Sequence, residues 1–262
     1  MNSNVKLQKN SEYLDTVESA NAWLKQTDAS IYQLNEVLQS AYETVIQAAN
    51  DSMAPEDKAA SAAYIAQLRD QSLTIANSQS GNKYLFGGYN VNNKPFTVDS
   101  GGNVLYNGIS LVDSTNPALI AAEGQSVSYE IGVGIVMDIS VTGVDLMGKG
   151  DGNVYTVLDN LYNALISDAP ATELGTYITQ IQDAQGSVMS SEAKVGGMVN
   201  RLTLLKNRYE EEDLTYKELK SNVEDVDLAE AYTYYSMAMT VYNAALKVGT
   251  QIIQSSILDY LK

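Results

Sequence analysis

The sequence has 262 residues and an acidic composition, with 32 acidic against 16 basic side chains and a formal net charge of -16. It contains neither cysteine nor histidine, which excludes thiol nucleophiles, imidazole bases and the usual zinc ligands. The excess negative charge repels phosphate backbones and anionic lipid surfaces. We therefore expect no cofactor, no metal and no nucleic-acid partner.

The first part of the chain has the pattern of a long helical hairpin. Apolar or small residues recur every seven positions from Val17 to Val45, and a second set follows three residues later, from Ala20 to Ala48. This spacing is typical of a coiled-coil seam. Residues 50–55 interrupt the pattern and end in a proline that suits the first turn of a helix. We predict a helix over 11–50 and a return helix over 56–80.

The middle of the chain has a different pattern. Glycines and prolines recur at turn-like intervals from Gly81 onward. Apolar residues then alternate with small or polar ones from Val127 to Val141, which predicts half-buried strands that end at Gly143. We predict a small β-rich domain over residues 83–152, and we expect it to contribute nothing to the seam between the helices.

Helical periodicity returns over 154–166 and again from 171 to 222. The pair Gly196-Gly197 lies inside the second segment, and we interpret it as a tolerated weak point rather than a place of close helix approach. The predicted fold class is α+β: a long antiparallel helical rod, a coiled-coil-like bundle, with an inserted small β-rich domain. The predicted domains are 1–82, 83–152 and 153–262. The predicted seam consists of apolar positions on three helices: Leu24, Ile31, Leu38, Leu68, Ile75, Val195 and Leu202.

The last segment, 228–261, carries two adjacent apolar stripes. A helix that is apolar over so wide an arc is covered either by a large core of its own chain or by other molecules, and the residues alone leave both possibilities open. Its longest uncharged run, 231–246, is too short to span a membrane, so we expect no membrane insertion. We predict assembly contacts at six positions of this segment: Leu246, Ile252, Ile253, Ile257, Leu258 and Leu261.

Several short motifs carry a family resemblance. A helix ending in Gln-Ala-Ala-Asn at 47–50 is followed by Tyr-Leu-Phe-Gly-Gly-Tyr at 84–89 and Lys-Pro-Phe at 94–96. The segments 223–231 and 255–261 agree with the same family. Together they resemble the hook-filament junction proteins of the bacterial flagellin superfamily, more than flagellin itself.

The resemblance implies a structural subunit without enzymatic activity that joins the hook to the flagellin filament. The implied partners are copies of itself, hook-associated protein 1, flagellin and a flagellar export chaperone. The implied location is the extracellular flagellum, reached through the flagellar secretion apparatus. Superfamily members begin with a further helix that pairs with the C-terminal helix, whereas this sequence starts in their next helix. We therefore expect its C-terminal stripes to be covered by a neighbouring copy or by the first residues, Val5 and Leu7, lying alongside.

Two alternatives stay open. Within the same class, the chain could be a flagellin or minor flagellin that forms the filament itself. In another class, it could be an extracellular carbohydrate-binding module or a hydrolase on a helical stalk. The chemistry of that alternative would come from carboxylates of the insert: Asp113, Glu123, Glu130, Asp138 and Asp145.

Overall fold

The computed structural model describes the backbone of residues 3–50, 53–224 and 228–258, and the side chains of residues 4–50, 53–222 and 229–251. The chain divides into two compact units, one formed by residues 11–210 and the other by residues 1–10 with 211–262. The described helices are α1 (Ser3–Ala48), α2 (Pro55–Ala76), α3 (Pro117–Glu123), α4 (Gly143–Met147), α5 (Val154–Ile166), α6 (Ala171–Glu224) and α7 (Leu228–Leu258). The strands are β1 (Gln79–Ser80), β2 (Lys83–Tyr84), β3 (Phe96–Val98), β4 (Val104–Tyr106), β5 (Ile109–Ser110), β6 (Ser128–Gly132) and β7 (Ile135–Asp138).

Three long helical segments of the larger unit pack antiparallel. The Gln26 side chain in α1 donates to the Gln79 carbonyl, just beyond the end of α2, over 3.1 Å. Between α6 and α1, Gln182 Nε2 lies 3.3 Å from Tyr42 Oη, and Lys206 Nζ lies 2.7 Å from Glu18 Oε1. The residue number therefore rises along α6 as it falls along α1. This direction is the one that the sequence predicts.

The predicted seam is buried. All seven of its side chains are at most 5% exposed, and Leu24, Ile31, Leu38, Val195 and Leu202 are fully covered. Long antiparallel helices combined with small sheets confirm the predicted α+β class. The domain boundaries 1–82, 83–152 and 153–262 stay a prediction.

Charged and aromatic groups fix the pairing of α2 with α5. Arg69 Nη1 lies 2.6 Å from Asp159 Oδ1, and its guanidinium lies 5.7 Å from the ring centroids of both Tyr155 and Tyr162. Burial alone would lower the pKa of Arg69, but hydrogen bonds to Asp159 and Asp70 outweigh it and raise that pKa. A second pair, Lys58 to Asp168 at 2.6 Å, lies towards the other end of both helices and confirms that they run antiparallel.

The insert contains small antiparallel sheets. Strands β1 and β2 pair with each other, β4 lies between β3 and β5, and β6 pairs with β7. The alternating run from Val127 to Val141 forms a hairpin of β6 and β7. Its turn lies at Val133, which is 79% exposed, and at Gly134, whose φ of +67° is in the left-handed region that glycine adopts readily. Gly143, the predicted end of the strand region, is the first residue of α4.

One aromatic pair forms the centre of the insert. Phe96 and Tyr106 face each other across β3 and β4, are fully buried, and have ring centroids 5.1 Å apart. The Tyr106 hydroxyl donates to the Phe86 carbonyl over 3.0 Å and accepts from the Gly143 backbone N–H over 3.4 Å. Burial raises the pKa of Tyr106 to about 12. This hydroxyl therefore joins the loop after β2, the sheet and the start of α4.

The expectation that the insert contributes nothing to the helical seam is wrong. The buried side chains of the helices and the insert form one continuous cluster. Tyr209 of α6 stacks on Tyr13 of α1, with ring centroids 5.9 Å apart, and its hydroxyl donates to the Ile131 carbonyl in β6. A two-stranded hairpin cannot form a core of its own and is stabilised by packing against a helix. The seam supplies that support.

The glycine pair inside α6 leaves the helix unbroken. A Cβ atom added at Gly196 or Gly197 would meet nothing within 4 Å apart from its own helix. No other element approaches the backbone closely at either position, which confirms the interpretation as a tolerated weak point.

Candidate assembly surface

Helix α7 presents its apolar side chains to solvent. One stripe follows the helical spacing of three and four residues, and each of its members is between 43% and 73% exposed: Tyr232, Tyr235, Met239, Tyr242 and Leu246. The predicted seam on α1, α2 and α6 is at most 5% exposed. Within residues 229–251, the first apolar stripe of α7 is therefore far more exposed than the predicted seam.

The second stripe widens this surface; in the sequence it consists of Ala231, Ala238, Val241, Ala245, Val248 and Ile252. Val241 is 64% exposed and Val248 is 55% exposed. The structure adds Tyr234 and Met237, at 64% and 62% exposed, which sequence analysis did not assign to either stripe. They lie four residues before Ala238 and Val241, so their helical spacing was the signal that could have identified them.

Of the six predicted assembly contacts, the structure describes the side chain of Leu246 alone. Leu246 is 51% exposed and lies on the first stripe. Five others lie outside the described side chains and stay predictions: Ile252, Ile253, Ile257, Leu258 and Leu261. Residues 229–251 are exposed except for Ala231 and Gly249, which are half-buried, and the assembly role of this helix stays a prediction.

Two threonine hydroxyls of α7 have their partners within the helix. Thr233 donates to the Ala229 carbonyl over 2.7 Å, and Thr240 donates to the Ser236 carbonyl over 2.8 Å. Residues 231–246 carry no charge, although the whole chain carries -16. Covering residues 231–246 therefore buries no charge, and these two hydroxyls keep their partners.

The carboxylates of the hydrolase alternative are engaged separately. Glu123 pairs with Lys149 at 2.7 Å, Asp145 lies 3.9 Å from Lys194, and Asp138 accepts from the Ser128 hydroxyl. Asp113 accepts from Thr115, and Glu130 is exposed on β6. Over residues 3–50, 53–224 and 228–258, the structure contains neither a metal-binding group of acidic side chains nor a helix long and apolar enough to cross a membrane.

Comparison with known protein families identifies both ends of the chain. Residues 2–91 match the bacterial flagellin N-terminal helical region, and residues 178–261 match the bacterial flagellin C-terminal helical region. The two regions together span well over half of the sequence. The chain belongs to the bacterial flagellin family. Helix α7 lies within the C-terminal region of this flagellin-family chain.

Two relatives match the flagellin-family chain over most of its length. It is 24% identical to flagellar hook-associated protein 3 of Escherichia coli over 266 aligned residues, which cover 97% of this chain and 82% of the relative. It is also 24% identical to flagellar hook-associated protein 3 of Salmonella typhimurium, over 93% of this chain and 79% of the relative.

Solved structures show the same fold. Hook-associated protein 3 from Legionella pneumophila aligns with a TM-score of 0.72 and 12% identity, over 86% of this chain and 99% of that structure. FlgL from Xanthomonas campestris aligns with a TM-score of 0.66 and 17% identity, over 84% of this chain and 99% of that structure. The predicted resemblance to the flagellin superfamily is confirmed.

Proposed function

We propose that this flagellin-family chain is a structural subunit of the bacterial flagellum that joins the hook to the flagellin filament. The observation that carries the proposal is the uncovered apolar surface of α7, in a helix that belongs to the flagellin C-terminal region. Subunits assemble when copies or neighbouring flagellar proteins cover this surface.

The energy available from the first stripe is sufficient for specific association. Fully burying one large apolar side chain stabilises by roughly 1.5 to 3 kcal/mol. The five side chains of the stripe are each about half exposed or more, so covering them contributes several kcal/mol per subunit. This gain offsets the loss of translational and rotational freedom, estimated at 4 to 15 kcal/mol or more, only when several neighbours contribute at once. The geometry therefore favours a polymer over an isolated pair.

The names of the relatives support the junction role, since both are hook-associated proteins. On this proposal the partners are further copies of the chain, hook-associated protein 1 on one side and flagellin on the other, with an export chaperone before assembly. The location is the extracellular flagellum. The proposed mechanism requires burial of side chains and no catalytic group.

A matched pair of variants tests the surface. Val241→Asp places a charge on α7 at a side chain that is 64% exposed, and Val136→Asp makes the same change on β7 at one that is 61% exposed. Both should leave the free energy of unfolding within about 0.5 kcal/mol of the native value, since each charge is in water in the free chain. Only Val241→Asp should abolish incorporation into flagella, because assembly would bury its charge against apolar surface.

Incorporation is measured by complementing a strain that lacks the native subunit and scoring filament attachment and swimming. Normal filaments with Val241→Asp would contradict the role of α7. Equal loss of filaments with Val136→Asp would show that the effect is not specific to this helix.

Localisation tests the junction itself. Labelled full-length protein should form one spot between hook and filament. Label along the whole filament would assign the chain to the filament as a flagellin. Label retained in the cytosol of cells that assemble flagella would contradict both roles.

A further inference from the structure

The insert carries two adjacent hollows that share one exposed aromatic residue, Tyr89. The first hollow has a volume of about 290 Å³ and the second about 390 Å³. We infer that the two hollows form a binding groove for an uncharged oligosaccharide. The first is lined by residues that include Trp23, Lys83, Tyr89, Ser126, Ser128 and Tyr129. The second is lined by residues that include Tyr89, Asn90, Asn107, Ala118 and Gln125.

The loop before Tyr89 holds this ring outward. Leu85 and Phe86 are buried, at 1% and 0% exposed, whereas Tyr89 is 67% exposed. Between them, a Cβ atom at Gly87 would lie 2.5 Å from the Asn90 carbonyl oxygen, and Gly88 has a φ of +63°. The two glycines allow a turn that other residues cannot make. The exposed ring therefore stands on an anchored loop, and a ligand that stacks on it has little backbone to order.

The chemistry of the first hollow suits one face of a sugar ring. Three aromatic side chains line it: Trp23, Tyr89 and Tyr129. The C–H groups of a pyranose carry partial positive charge and lie favourably against the negative face of an aromatic ring. The Trp23 Nε1 is buried and has no hydrogen-bond acceptor among the described residues. Such a donor is rare in folded proteins; because the nitrogen is covered, Trp23 offers a ligand its ring and not its N–H.

The second hollow supplies groups that bind hydroxyls. Its three amide side chains, Asn90, Asn107 and Gln125, each contain both donors and an acceptor. Asn107 Nδ2 donates to the Gly87 carbonyl over 3.2 Å. The backbone of Asn107 is in the left-handed region, at a φ of +49°. Gln125 Oε1 lies 3.5 Å from the Tyr89 N–H, and its Nε2 makes no hydrogen bond within the described part of the chain. Asn90 donates to Asn107 Oδ1 over 3.4 Å and accepts from Asn93 over 2.9 Å. The three amides are thus positioned by the same loop, and each NH₂ group keeps at least one N–H for a ligand.

The lining excludes other ligand classes. Among the residues that the structure describes, Lys83 is the one formally charged side chain on either hollow, and a net charge of -16 disfavours anionic polymers. A purely apolar ligand would cover the amides without pairing them. Both volumes lie near the lower end of the roughly 300 to 1,000 Å³ typical of small-ligand sites. Adjacent small hollows with aromatic and amide linings fit successive units of a neutral oligosaccharide.

The test uses the full chain on a printed array of neutral and acidic oligosaccharides, followed by calorimetric titration of the retained sugars. We expect neutral oligosaccharides to bind and Tyr89→Ala to weaken them about tenfold, the size of one lost aromatic contact. Tyr89→Phe keeps the ring and should bind within about twofold of the native chain, because only the hydroxyl is lost. Tyr32→Ala is the matched control, since Tyr32 is 54% exposed on α1 and lines neither hollow.

Three outcomes would overturn the groove. These are no neutral oligosaccharide retained above the Tyr89→Ala background, retention of acidic sugars alone, or an equal loss of affinity in Tyr32→Ala. Thermal unfolding of each variant shows whether it is folded, and we expect no change for Tyr89→Ala because its side chain is largely in water. The array uses unassembled protein, so its result is independent of the junction role, and failure of either leaves the other standing.

Discussion

Replacing Gly143 by alanine tests the packing at the centre of the insert. A Cβ atom built there lies 2.4 Å from a Tyr106 ring carbon and 2.5 Å from a Phe96 ring carbon. Both rings are fully buried, so neither can move into solvent to make room. The Gly143 backbone is not in the left-handed region, so the expected cost comes from packing and not from backbone strain.

The size of the effect follows from three contributions. Overpacking a buried site costs roughly 1 to 3 kcal/mol. Displacing the Tyr106 ring weakens its hydrogen bonds to Phe86 and Gly143, at about 1 kcal/mol for a typical bond. Alanine also lowers the conformational entropy of the unfolded chain, which stabilises the folded state by about 0.4 to 1 kcal/mol. We expect Gly143→Ala to destabilise the protein by about 2 to 3 kcal/mol.

Urea denaturation followed by near-ultraviolet circular dichroism measures this change, because the signal arises from packed aromatic rings. Gly196→Ala is the matched control: its Cβ meets nothing within 4 Å, so it should stabilise α6 by about 0.5 to 1 kcal/mol. The reasoning is refuted if Gly143→Ala changes the unfolding free energy by less than about 0.5 kcal/mol, or if the control loses as much.

Two further predictions concern the core. Leu38→Ala removes a fully buried seam side chain and should cost about 2 to 5 kcal/mol in chemical denaturation; a change below about 0.5 kcal/mol would show that the seam is misassigned. Tyr106 has a pKa raised from 10.0 to about 12, so the folded state holds this proton more tightly than the unfolded state. The contribution of the Tyr106 proton to the free energy of unfolding is complete below pH 10. It falls as the pH rises towards 12, by up to roughly 2 to 3 kcal/mol. Unfolding free energies measured across this interval should therefore fall more steeply for the native protein than for Tyr106→Phe, and parallel curves would contradict the prediction.

The helices were predictable because local spacing determines them. Helix α5 has the bounds predicted from the sequence, 154–166, and the seven-residue repeat identified the buried face of α1. Such patterns depend on residues three to seven positions apart, which the sequence displays directly.

The insert was less predictable because its contacts join distant residues. The Asn77 side chain, just after α2, donates to the Phe96 carbonyl and accepts from the Phe96 N–H, at 3.1 and 3.0 Å. It thereby takes the place of a neighbouring strand at the start of β3. A side chain that pairs with backbone nineteen residues away leaves no periodic signal.

The assembly surface was predictable in part. The sequence shows that α7 is apolar on two sides, but apolar periodicity is the same for a buried helix and for one that awaits a partner. Tyr232 and Val241 are exposed, at 73% and 64%, which is the property that the periodicity could not show. For Ile253 and the other terminal positions, the contact role stays a prediction.

The pairing of α2 with α5 makes the insert an exchangeable cassette. The ion pair between Arg69 and Asp159 fixes the antiparallel pairing of the two helices, so the last residue of α2, Ala76, and the first of α5, Val154, lie at the same end of the pair. The chain leaves the pair and re-enters it at that end. A connection of another length or fold can therefore bridge the two ends without changing the helical register. Such a replacement would remove the acceptor that Ile131 offers to Tyr209, and a chimaera should carry a compensating polar group at that position.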